Sequence, residues 1–69
     1  MKIAVFGATG PTGQQLVKQA LQKGHNITVL ARNPSKIAIE NKNLTVIKGN
    51  ALSYEDVEKT VKGQDAVLS

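Results

Sequence analysis

Residues 4–16 read AVFGATGPTGQQL, with Gly7, Gly10 and Gly13 at intervals of three. The glycines follow an apolar run, KIAVF at residues 2–6, and precede a helix-like pattern from Pro11 to Lys23. A continuous β-branched and apolar run of that length suits a strand buried on both faces. In the segment after it, Leu16, Val17, Ala20 and Leu21 fall at helical spacing, while Gln15, Lys18, Gln19 and Gln22 occupy the other side. Pro11 suits a first helical turn, where its missing N–H would have had no partner. Gly24 stands where a left-handed cap commonly ends a helix. Strand, tight glycine turn and helix form one unit, and few folds contain it.

The rest of the chain repeats the alternation. NITVLA at residues 26–31 predicts a second strand, and NPSK at residues 33–36 a short turn or helix with Asn33 as a possible cap. ENKN at residues 40–43 is a polar loop, and LTVIKG at residues 44–49 a third strand. Ser53 then caps a helix, with Asp56 three residues on and Leu52 and Val57 placed for a hydrophobic staple. Its expected buried stripe is Tyr54, Val57 and Val61; Glu55–Lys59 and Glu58–Lys62 are i,i+4 pairs on its outer side. Gly63 ends it, and DAVLS at residues 65–69 opens a fourth strand. Repeated βαβ units imply a parallel sheet with right-handed crossovers.

Composition narrows the function classes. With 69 residues the chain is one domain at most. There is no cysteine, which excludes disulfides and thiolate metal sites and fits a reducing, cytoplasmic setting. The apolar start is too short for a signal peptide, and no stretch approaches the ~20 apolar residues of a membrane span. NIT at Asn26 and NLT at Asn43 match the glycosylation sequon, which has no secretory context here. The net charge is +4, but the nine Lys and Arg residues are scattered and the only aromatics are Phe6 and Tyr54. A nucleic-acid surface needs a concentrated basic patch, often with stacking rings, so no nucleic-acid partner is expected.

The glycine turn points to an anion site. The first turn of a helix leaves backbone N–H groups unpaired, and the helix dipole adds partial positive charge. Gly7 allows the sharp turn, Gly10 has no Cβ to collide with a diphosphate, and Gly13 lets the helix pack closely. Thr9 and Thr12 add hydroxyl donors. A P-loop would need Gly-Lys-Ser/Thr, but Gly13 is followed by Gln14. ATGPT is also similar to the phosphate loop of flavodoxins, yet the spacing to Gly13 and the charge after the second strand disfavour a flavin mononucleotide site.

The end of the second strand then selects the nucleotide. NAD-specific sites place Asp or Glu there for the ribose 2′-hydroxyl. This chain has Ala31-Arg32-Asn33, with no acid until Glu40. Arg32 suits a 2′-phosphate, Ser35 and Lys36 can complete the pocket, and the expected cofactor is NADP rather than NAD.

KIAVFGATGPTG, TVLARNPSK, GNAL and VKGQDAVL together resemble the N-terminal part of atypical short-chain dehydrogenases/reductases. The most similar subgroup is the NmrA-like NAD(P)-binding proteins, which include biliverdin-IXβ reductase, also a flavin reductase. The resemblance covers nearly the whole chain. It implies cofactor contacts at Gly7, Thr9, Gly10, Thr12, Arg32, Ser35 and Lys36, to which the helix start adds Pro11 and Gly13. The family places Asp after the third strand, near the adenine. Here Asn50 and Ala51 stand there, and Asn50 can accept a hydrogen bond through its amide oxygen without carrying charge.

The expected fold is thus α/β: a truncated Rossmann fold over residues 1–69, with a four-stranded parallel sheet of order 3-2-1-4 and helices on both faces. No catalytic or metal-binding residue is expected. Tyr54 lacks the Tyr-x-x-x-Lys pattern, since Glu58 stands four residues on, and His25 lies at the end of the sheet opposite the glycines. Three functions follow: the NADP-binding portion of a flavin- or quinone-type reductase, inactive alone; a non-catalytic NADP-sensing module; or a truncated interaction protein with a relic nucleotide loop. The fourth strand is an apolar edge, and such edges recruit partners. Homodimerisation through residues 65–69 or through the sheet face near strands one and four is expected, or else association with a separately encoded remainder.

Overall fold

The structure, a computed structural model, describes residues 1–68. Strands β1 (Lys2–Phe6), β2 (Asn26–Ala31), β3 (Leu44–Lys48) and β4 (Ala66–Leu68) are all parallel and lie in the order β3-β2-β1-β4. Helix α1 (Pro11–Gln22) joins β1 to β2, and α2 (Tyr54–Val61) joins β3 to β4. A 3-10 turn at Pro34–Lys36 follows β2. The expected sheet order is the observed one. Ser69, the last residue of the expected fourth strand, lies outside the described residues.

Strand register divides the side chains between two faces. Ile3 and Val5 of β1 pair with Ile27 and Val29 of β2, and these with Leu44 and Val46 of β3. All six join Val17 and Leu21 of α1 in the main core. Val17 is 1% exposed, and burying such an aliphatic side chain contributes about 1.5–3 kcal/mol. The opposite face carries Ala4, Thr28 and Leu30 and lies under α2, whose following Gln64 donates to Thr28 Oγ1 at 3.3 Å. β4 is anchored at its start, where Asp65 N donates to Lys2 O at 2.6 Å and Asp65 Oδ2 accepts from Lys2 N at 2.8 Å.

Both helices differ in part from the sequence expectation. Leu16 is 40% exposed, because α1 turns Gly13, Val17, Ala20 and Leu21 inward and Leu16 sits about 100° round from Val17. In α2, Tyr54 is 79% exposed and Leu52 90%, so Tyr54 leaves the stripe and no staple forms. The inward face is Val57 and Val61, as expected, together with Asp56 and Thr60. Polar side chains occupy it because each has a partner. Thr60 is fully buried and donates to Asp56 O at 2.7 Å, and Asp56 Oδ2 accepts from Asn50 N at 2.9 Å. Ser53 does cap α2, accepting from Asp56 N at 3.4 Å. Lys59 pairs with Asp56 at 3.7 Å rather than with Glu55. Among the described residues no helix is long and apolar enough to cross a membrane.

Candidate functional site

The carboxyl ends of β1, β2 and β3 open onto a cleft of about 560 Å³. Its walls are the glycine loop (Gly7, Ala8, Thr9), the end of β2 and the turn after it (Leu30 to Asn33, and Lys36), and the segment after β3 (Gly49 to Leu52). Ligands of open α/β sheets bind in this position, where successive crossovers leave on opposite sides of the sheet.

The loop conformation follows from its glycines. Gly7 adopts φ +74, which a side chain would strain, and this turns the chain sharply out of β1. At Gly13 an added Cβ would meet Gly7 O at 2.6 Å and Ala8 Cα at 2.8 Å, so glycine here lets the first turn of α1 lie on the loop backbone. Gly10 differs from both: its φ is −80 and an added Cβ would meet nothing within 4 Å. Space is therefore open beside the helix start.

That start is unneutralised. Gly10 provides no side-chain cap, the first turn holds no acidic residue, and Pro11 brings no N–H. The first-turn amides of Thr12 and Gly13 precede the first intrahelical bond, Gln14 N to Gly10 O at 3.0 Å. Their donors and the positive end of the helix dipole suit an anionic group.

The second charged element is the turn after β2. Arg32 and Lys36 are exposed and line the cleft, and among the described residues the ion pair Lys59–Asp56 involves neither. Asn33 does not cap the turn through its side chain, because Asn33 Oδ1 accepts from Ser35 Oγ at 2.8 Å. Ser35 thus commits its hydroxyl proton to Asn33 and is not part of the cleft lining. Beyond β3, Asn50 Oδ1 accepts from Leu52 N at 2.8 Å. A backbone N–H can only donate, so the oxygen faces Leu52; its second lone pair and the NH₂ of Asn50 remain for a ligand.

Of the expected site residues, Gly7, Thr9, Arg32, Lys36, Asn50 and Ala51 meet in one cleft. Pro11 and Thr12 line a shallower depression of about 540 Å³ on the outer side of α1, with Gln15, Leu16 and Gln19. Gly10 and Gly13 shape the loop without lining the cleft. Ala8, Leu30, Gly49 and Leu52 were not expected there. At Gly49 an added Cβ would meet the Asp56 carboxylate at 2.8 Å, so this glycine allows the segment after β3 to lie against α2. Gln14 was also not expected. Its Nε2 donates to Thr9 O at 3.0 Å and to Lys36 O at 3.2 Å.

Residues 7–69 match the model of a protein family described as NAD(P)H-binding. Among curated proteins, the photosystem II assembly factor Ycf39 of Synechocystis is 33% identical over 69 residues, which is 99% of this chain and 21% of that protein. Among solved structures, a Rossmann-fold NAD(P)-binding family protein from Shigella flexneri superimposes with a TM-score of 0.88 at 27% identity, over 99% of this chain and 36% of that one. The Bordetella bronchiseptica enzyme WbmG, solved in complex with NAD, superimposes with a TM-score of 0.79 at 25% identity, over 100% of this chain and 24% of that one. The chain thus spans between about a fifth and a third of the length of these relatives.

Proposed function

The chain belongs to the NAD(P)H-binding family, and from that premise we propose that it is the NADP(H)-binding portion of an oxidoreductase of the flavin- or quinone-reducing type, not catalytic alone. The observation that carries the choice of NADP is the pair Arg32 and Lys36 on one wall of the cleft, with no carboxylate in the lining. An Arg fork recognises phosphate oxygens through paired, charge-assisted hydrogen bonds. The diphosphate lies at the first-turn amides of Thr12 and Gly13, with Gly7 and Gly10 keeping its path clear and Thr9 beside it. The NH₂ of Asn50 donates toward the adenosine, next to Ala51. When bound, the nicotinamide supplies hydride; this chain's residues hold the phosphates and orient the adenosine half.

The test is isothermal titration of Arg32→Ala beside the unaltered chain. NADP affinity is expected to fall about tenfold or more, the loss of one charge-assisted contact, with NAD affinity little changed. Equal losses for both cofactors refute the 2′-phosphate role.

A non-catalytic NADP-sensing module is the second reading. It is favoured by the lining, whose charged side chains, Arg32 and Lys36, suit holding phosphates. Nicotinamide oxidation with a flavin or quinone acceptor separates it from the first. We infer further that the chain associates with a second copy through β4 or the sheet face beside it. Val67 and Leu68 there are 50% and 39% exposed.

A further inference from the structure

We propose that Gln14 is a positioning residue that couples the glycine loop to the basic turn, and thereby sets how sharply the site separates NADP from NAD; this rests on the 2′-phosphate reading above. Its carboxamide nitrogen donates to Thr9 O at 3.0 Å and to Lys36 O at 3.2 Å. Both partners are carbonyl oxygens, so only the NH₂ end can serve them, and its two hydrogens are both used. One end of this bridge is the loop residue between Gly7 and Gly10. The other is the last residue of the 3-10 turn, whose neighbourhood carries both cations of the cleft.

Among the described residues this is the one hydrogen bond joining the α1 start to that turn. The remaining bonds of the turn are short-range: Lys36 N to Asn33 O, Ile37 N to Pro34 O, and Ser35 Oγ to Asn33 Oδ1. A single 3-10 turn has weak hydrogen-bond geometry and holds its place poorly on local bonds alone. Arg32 follows β2 directly and Ile37 packs against the core, so without Gln14 it is Lys36 that loses its fixed offset from the helix start. A ligand that engages both segments must then supply the ordering itself, and its affinity falls. NADP carries a phosphate for each segment. NAD engages the loop and helix amides alone, so it loses only what the Thr9 bond gave and falls less. The predicted signature is a change in the ratio of the two affinities, which general loosening of the fold does not produce.

Gln14→Met keeps the length and helix propensity of the side chain and removes both donors; Gln14→Ala is the companion variant with the highest helix propensity. The unaltered chain and both variants are titrated with NADP and with NAD. The NADP/NAD affinity ratio is expected to fall by about three- to tenfold in the variants, mainly through NADP, in line with the usual net worth of such hydrogen bonds. Amide exchange at Lys36 and Ile37 in the free chain is expected to quicken several-fold, while that of Val29 and Leu30 holds. A ratio that stays constant, through equal losses or none, overturns the proposal, as does unchanged exchange at the turn. An unaltered chain that binds NADP and NAD alike overturns the 2′-phosphate reading itself, and the specificity role of Gln14 with it.

Discussion

At the scale of single residues, the three loop glycines share a spacing but not a reason. At Gly13 a methyl group would press on the backbone of Gly7 and Ala8, which has no flexible end to move aside. Gly13→Ala is therefore expected to destabilise the fold by about 1–3 kcal/mol, the usual range for overpacking, as read from thermal or urea unfolding. Gly10→Ala is expected to leave the midpoint nearly unchanged, since its φ is ordinary and the space beside it is open. The same methyl group would project beside the helix amides, and a several-fold loss of dinucleotide affinity is expected in titration. A Gly10→Ala chain that unfolds early yet binds normally would reverse the roles given to the two glycines. Sequence spacing identified all three positions. It did not separate the packing role from the open one, because that depends on what lies opposite each Cα.

At the scale of elements, α2 is joined to the cleft by a polar link. Asp56 accepts from Asn50 N and presses against Gly49, and its carbonyl receives the hydroxyl of the buried Thr60. Asp56→Ala removes the acceptor and leaves the half-buried Asn50 N–H without it, so a loss of about 1–3 kcal/mol is expected in urea unfolding, with faster exchange at Asn50. A variant as stable as the parent would show that water replaces the carboxylate at no cost. This link also explains where the sequence was readable. β1 and β2 were legible to the residue because apolar runs bounded by glycine or polar turns leave little choice. On α2 the pattern finds Val57 and Val61 but not the polar pair, because hydropathy ranks Tyr54 above Asp56 and Thr60, whereas satisfied hydrogen bonds place these two inside. Gln14 was missed for a related reason: its partners lie five and 22 residues away, and no local period reports them.

At the scale of the whole molecule, about 60 residues folded on their own bury only about 60% of their unfolded surface, so partner and ligand contacts weigh heavily in their stability. Among the described residues β4 pairs with β1 alone, and Val67, in register with Ala4 on the α2 side of the sheet, is half-exposed. Light scattering coupled to size exclusion is expected to show a dimer that Val67→Lys dissociates; a clean monomer at high concentration speaks against self-association through this edge. A bound cofactor is also expected to raise the unfolding midpoint, since saturation at about 100 times Kd adds about 2.7 kcal/mol. The central claim joins the helix start to the cleft beside it: first-turn amides at the glycine loop and two cations on the turn after β2, which together suit a dinucleotide with a third phosphate. Isothermal titration of the 69-residue chain with NADP and with NAD tests it most directly. The account predicts saturable 1:1 binding with NADP tighter by about tenfold, or about 1.4 kcal/mol. Equal affinities, or no heat with either cofactor, would contradict it.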